Sequence, residues 1–177
     1  MRKTILLGVA VLAGAIACGG GGNDKAGSQP AQQQAGRATE PAAGKTPGIG
    51  DPVRDGKFEF TVSKMDCSKK KVGDQYLSTT AQGKFCLVTV TVKNIGDEAQ
   101  LLDSSSQKAL DAKGTTYDAD GTAAMYVNKN AETFLNNINP GNQVKGVIPF
   151  DVPKSVTVTA LELHDSSFSE GVTVKVG

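Results

Sequence analysis

The chain has no tryptophan and a single histidine, and aromatic residues make up 5% of its 177 positions. A face that stacks sugars or bases needs aromatic rings, so a platform of that kind is excluded. Cysteine is scarce, at three residues. Cys67 and Cys86, with His164 far away in sequence, fall short of a structural zinc set, so no metal and no cofactor are expected. A basic excess is also missing. Residues 51–177 carry 14 Lys and Arg against 16 Asp and Glu, a formal −2. Nucleic-acid binding wants a basic stripe, so no nucleic-acid partner is expected. The longest apolar run, Ile5 to Leu12, is shorter than the roughly 20 residues that cross a bilayer. After residue 51 no segment shows a long helical apolar stripe. Ala123 to Leu135 could hold a short helix, and Tyr126-Val127 could equally be strand.

What is present starts at the N-terminus. Arg2 and Lys3 precede the apolar run, and small residues follow it up to Ala17. A charged start, a short apolar core and a small-residue exit describe a secretory signal peptide over 1–17. Ala15-Ile16-Ala17-Cys18 then resembles a bacterial lipobox, with Ala15 where leucine is usual. The resemblance implies that Cys18 becomes the mature N-terminus and carries diacylglycerol and further acyl chains such as palmitate. Each buried methylene is worth about 0.8 kcal/mol, and two or more chains hold firmly where one does not. The partner implied is the lipid bilayer, and the expected location is the extracytoplasmic face of the cell membrane.

From residue 18 to 50 the composition turns to Gly, Ala, Gln, Pro, Ser and Thr, with Ile49 as the only large aliphatic. Such a segment cannot bury enough apolar surface to offset its ordering entropy. It is expected to be a disordered linker spanning about 30 Å. Pro30, Pro41 and Pro47 interrupt any helix built on its alanines.

Residues 51–177 have the length of one domain, and they alternate. Phe58, Phe60 and Val62 share one face. Cys86, Val88, Val90 and Val92 share another, opposite Phe85, Leu87, Thr89 and Thr91. Val144, Ile148, Phe150 and Val152 fall together, with Pro149 opposite, as suits an edge strand. Leu161 and Leu163 oppose Glu162 and His164, and Val172 to Val176 alternates throughout. A period of two with β-branched residues marks strands. Asn94 to Asp97 reads as a turn, Asp111 to Gly114 separates Lys108-Ala109-Leu110 from Thr115 to Ala119 as a hairpin, and Asn139-Pro140-Gly141-Asn142 fits a type II turn. About seven strands with such punctuation predict an all-β, immunoglobulin-like antiparallel sandwich.

In an exported chain, an even pair of cysteines reads as a disulfide, so Cys67 and Cys86 are expected to bridge. The rival readings are a metal ligand pair and a reactive thiol. Four other features were candidates for chemistry. His164-Asp165-Ser166 has the letters of a catalytic triad, but three adjacent residues point in different directions and triads are assembled by the fold; a surface histidine near a strand end is expected. Asp118 and Asp120 have the opening spacing of a calcium loop without its late glutamate. Asp111 and Asp103 would have to join them, and a plain turn is the simpler reading. Lys69-Lys70-Lys71, flanked by Asp66 and Asp74, reads as a solvated loop that could meet anionic polymer or lipid head groups. Of Leu101 and Leu102, one should enter the core and the other should be covered by a loop.

The stretches VTVTVKNIGDEAQ, INPGNQVKGVIPFDVP and LELHDSSFSEGVTVKV together resemble a family of bacterial exported domains known only as a domain of unknown function. That family is similar in fold to the immunoprotective extracellular antigen of mycobacteria. The resemblance implies an immunoglobulin-like sandwich over 51–177, and it transfers no catalytic or ligand residue. The expectation is a lipid-anchored envelope protein. Its sandwich would be a non-enzymatic binding module for an envelope protein or polymer. A structural or antigenic surface protein, and an enzyme with an unrecognised site, stay open as alternatives.

Overall fold

The computed structural model describes residues 45–128 and 134–177. The signal peptide, Cys18 and most of the expected linker lie outside those residues. Eight strands and one helix occur among the described residues. In chain order they are β1 (Pro52–Asp55), β2 (Phe58–Gly73), β3 (Ser78–Asn94), β4 (Lys108–Asp111), β5 (Thr116–Asp118), α1 (Gly121–Val127), β6 (Gln143–Val152), β7 (Val158–Leu163) and β8 (Val172–Lys175). One sheet has the order β1-β2-β3-β6 and the other β5-β4-β7-β8. All neighbours within both sheets are antiparallel. The result is a β-sandwich. Short β1, with the sequence PVRD, is the strand that neither alternation nor turn chemistry revealed.

The two sheets meet through the residues that period two placed inward. Phe58, Phe60, Val62, Val88, Val90 and Val92 face Leu161, Leu163 and Val174 across one core, and Ile148, Phe150 and Val152 join it from β6. Phe58 and Phe60 meet edge to face, with ring centroids 6.0 Å apart, a favoured aromatic geometry. The Cys67–Cys86 disulfide joins β2 to β3 within one sheet. Its buried half, Cys86, is fully enclosed in the core.

Buried polar side chains fasten the loops. Asn94 has no solvent exposure. Its amide donates to the carbonyls of Glu98 and Ile138, each at 2.7 Å, and accepts from the Gly96 amide at 2.8 Å. Gln107, equally buried, donates to the carbonyls of Asp103 and His164 and accepts from the His164 amide. Each pairing satisfies a group that would be costly to bury alone. The predicted type II turn is present: Gly141 has φ 77° and the Asn142 amide reaches the Asn139 carbonyl at 3.0 Å.

Two expectations need correction here. Lys69-Lys70-Lys71 is not a loop; it lies within β2, because β2 and β3 form a hairpin far longer than their apolar runs suggest. Leu102 is buried at 2%, but Leu101 is 53% exposed, in a stretch of irregular chain.

Candidate functional site

The outer face of the β2-β3-β6 sheet carries a second, smaller core. Val72, Ala81, Phe85 and Ala123 are buried together, with Leu87, Tyr126 and Val127 packed against them. This explains why Phe85 and Leu87, on the face opposite the main core, are apolar: α1 lies over them. The helix starts where Asp120 accepts from the Ala123 amide at 2.8 Å, a standard N-cap. It is pinned to edge strand β6 at both ends. The Asp120 amide donates to the Pro149 carbonyl at 2.8 Å. The Asn128 side chain donates to the Val147 carbonyl and accepts from the Val147 amide, at 2.9 and 2.8 Å. These contacts occupy backbone groups that an edge strand would otherwise leave open.

Beside α1, over the same sheet face, is a cleft of about 780 Å³. Its floor is Leu87, Thr89, Val147 and Val72. One wall is α1, through Met125, Tyr126, Val127 and Asn128. The opposite rim is β2, through Lys64, Asp66, Lys69 and Lys71, and the hairpin turn closes one end with Asp74 and Leu77. Strict alternation from Lys64 would have brought Ser68 and Lys70 to this face. Register shifts between Asp66 and Lys69 and between Lys69 and Lys71 interrupt that alternation, and Lys69 and Lys71 line the cleft with Lys64. Leu77 and Met125 are 65% and 56% exposed, so the cleft presents apolar surface to solvent.

The two acids of the rim are already engaged. The Ser68 hydroxyl and amide hold the Asp66 carboxyl below the usual carboxylate range. The amides of Leu77 and Tyr76 do the same for Asp74, each donating at 2.8 Å. The three rim lysines have no fixed partner among the ion pairs described, though the charges of Lys69 and Lys64 help to lower the Asp66 carboxyl, so the apolar floor is edged by three lysines and two ionised carboxylates, a formal +1.

The other sequence candidates are built into the scaffold. His164 is not a surface residue: its side chain is 11% exposed. Nε2 lies 2.8 Å from a Glu162 carboxylate oxygen and Nδ1 lies 3.2 Å from the Ser169 carbonyl. Gly171 sits so close that a Cβ there would approach the imidazole to 2.6 Å. Asp165 accepts from the Lys57 amide at 2.9 Å, its own amide donates to Asp55, and the Ser166 hydroxyl accepts from the Phe168 amide. Asp165 thus fastens the β7–β8 loop to the β1–β2 turn, while His164 and Ser166 brace the loop from within. A small hollow of about 310 Å³ beside His164 is lined by Asp103, Ser105, Ser106, Lys108, Glu162, His164 and Ser167.

The aspartates also serve local structure. Asp118 pairs with Lys108 across the β4–β5 hairpin. Asp120 caps α1. Asp111 accepts from the Lys113 and Thr115 amides inside the hairpin turn, with the Thr115 amide the main cause of its lowered pKa. Desolvation, and then the nearby Asp111 carboxylate, raise the Tyr117 phenol. Asp103 caps the 3-10 turn Ser104–Ser106, and the Ser105 and Ser106 hydroxyls draw its carboxyl down. Among the described residues no group of three or more His, Cys, Asp and Glu is placed to hold a metal ion, and no helix is long and apolar enough to cross a membrane.

The sequence named Lys69 and Lys71 but not their setting. Leu87, Met125, Tyr126 and Asn128 were missed as neighbours of those lysines. The one available signal was Phe85-x-Leu87 on the wrong face of an otherwise polar run.

Comparison with known proteins agrees with the geometry. The chain is 35% identical over 141 residues to the uncharacterized protein YxkC of Bacillus subtilis, covering 75% of this chain and 76% of that one. In fold it is similar to the crystal structure of the yjhA protein from Bacillus subtilis, with a TM-score of 0.56, 16% identity and coverage of 75% and 100% of the two chains. It is likewise similar to MPT63, a secreted protein from Mycobacterium tuberculosis, with a TM-score of 0.54, 19% identity and coverage of 76% and 98%. Residues 45–177 here lie in one compact unit that holds both cores and the disulfide. A family model described as a domain of unknown function, DUF4352, matches residues 47–175, and the chain belongs to that family.

Proposed function

We propose that this protein is exported, acylated at Cys18, and displays its sandwich on the extracytoplasmic side of the membrane as a non-enzymatic binding module. The observation that carries the binding role is the cleft between α1 and β2. It combines exposed apolar surface with three lysines on one rim, whereas His164, Asp165, Ser166, Asp103, Asp111 and Asp120 are each held in structural hydrogen bonds. A convergent nucleophile and base would have spoken for catalysis. Support for export comes from the charged and apolar N-terminus and the lipobox-like Ala15 to Cys18, and from the secreted status of MPT63. A lipid anchor raises the effective concentration of the module toward other envelope components.

Intact mass of the native protein tests the anchor. The expected chain begins at Cys18 with acyl groups attached; an unmodified Cys18, or a chain that begins later, refutes it. Crosslinking in living cells, comparing wild type with Cys18→Ala, tests the binding role. A specific neighbour captured through the cleft face by the anchored form is expected. No enrichment in either form favours the structural reading.

A further inference from the structure

We infer that the cleft beside α1 takes one molecule of an anionic amphiphile, an apolar body carrying a phosphate or carboxylate head. The inference rests on the binding role proposed above and names its ligand class. A concave site of about 780 Å³ falls in the size range of small-molecule pockets. Its floor and helix wall, from Leu87, Val147 and Met125, would cover the apolar body. Lys64, Lys69 and Lys71 stand along a single rim and supply charge complementarity to the head. With Asp66 and Asp74 the lining sums to a formal +1, against a formal −2 over residues 51–177.

Concavity favours a free molecule over a bilayer surface, since insertion into a bilayer needs a protruding apolar surface.

The test uses residues 45–177 and dodecyl phosphate below its micelle concentration, read by backbone amide NMR shifts and calorimetry. Saturable shifts at Leu87, Met125, Tyr126 and Val147 are expected. The triple variant Lys64→Gln, Lys69→Gln, Lys71→Gln should bind at least tenfold more weakly with an unchanged melting temperature, as these lysines are exposed. The pair Leu77→Asp and Met125→Asp, also at exposed positions, should weaken binding similarly. Dodecyl maltoside should bind at least tenfold more weakly than dodecyl phosphate, and inorganic phosphate should leave the floor resonances unmoved. Equal affinity of the lysine variant, shifts confined to another surface, or inorganic phosphate binding as well as dodecyl phosphate would overturn the inference. So would tight binding of an acidic apolar peptide without binding of dodecyl phosphate, which would leave the binding role standing with a polypeptide partner. Loss of the anchor in the intact-mass experiment leaves this result untouched, so the two failures are separable.

Discussion

Asn94 is the most stringent place to test how this sandwich is held together. Its side chain is fully buried and makes three hydrogen bonds, two to carbonyls that meet its Nδ2 at 2.7 Å and one from the Gly96 amide to its Oδ1. Its backbone amide and carbonyl also hold the Asn139–Asn142 turn. Removing the side chain in Asn94→Ala forfeits three bonds of about 1 kcal/mol each, so a loss of about 3 kcal/mol is expected. For a unit of this length that is a fall in Tm of roughly 10 °C. Asn94→Asp separates hydrogen bonding from volume, because it is nearly isosteric. Its Oδ1 can still accept from Gly96, but the second oxygen would face the Glu98 and Ile138 carbonyls. The ionised form is disfavoured there, so the folded-state pKa of the new carboxyl is raised above its unfolded value. A raised carboxyl pKa means that the unfolded state is favoured once pH exceeds the unfolded value, and that the penalty fades as pH falls below it. Asn94→Asp should therefore be less stable than Asn94→Ala at pH 7 and should recover relative to it toward pH 4. Urea unfolding of residues 45–177 with the disulfide intact, followed by circular dichroism, measures both. A loss below about 1 kcal/mol for Asn94→Ala, or a pH-independent gap between the two variants, would refute the assignment.

The disulfide closes a loop of 19 residues, so Cys67→Ser with Cys86→Ser should cost about 3 kcal/mol on the loop-entropy model. A midpoint in urea unchanged from wild type would refute that. Asn128→Ala removes three hydrogen bonds that fasten α1, two of them to β6. Amide exchange across Gly121–Val127 should rise at least tenfold while the main core stays protected, and uniform exchange changes would contradict a local role. The hydroxyls of Ser105 and Ser106 hold Asp103 below its usual pKa. Its contribution to stability is therefore present above the unfolded pKa and is lost as pH falls through the folded value. The stability gap between wild type and Asp103→Asn should narrow as pH is lowered from 6 toward 3, as pH-dependent unfolding curves would show.

The apolar periodicity located five of the eight strands, β2, β3, β6, β7 and β8, because a strand buried on one face repeats every two residues and leaves a readable mark, and the Asp111–Gly114 turn added β4 and β5 as its flanks. It missed β1, which at four residues has only Val53 facing the core, too short for any period. It also underestimated β2 and β3. Their continuation past the main core is polar, and its pairing is decided by partner strands rather than by its own pattern. Polar fasteners were illegible for a related reason. Asn94 and Gln107 look like turn and surface residues until distant carbonyls from Ile138 and His164 are brought to them. His164 was misplaced because alternation assigns it to the outer face but says nothing of the 165–171 loop that folds back over the ring.

By itself, the sequence determined the all-β class, the inward faces, the turn at Asn139 to Asn142 and the pairing of the two domain cysteines as an expectation. These are local properties, fixed by side-chain period, backbone preference and cysteine number. Tertiary structure alone decided where the cleft lies. The cleft exists because successive register shifts in β2 break its alternation and bring Lys64, Lys69 and Lys71 to one rim, and because α1 is pinned across β6 from a different part of the chain. Neither a bulge's parity nor a helix's resting place is encoded in any short stretch; both follow from which strands pair and which edges must be covered.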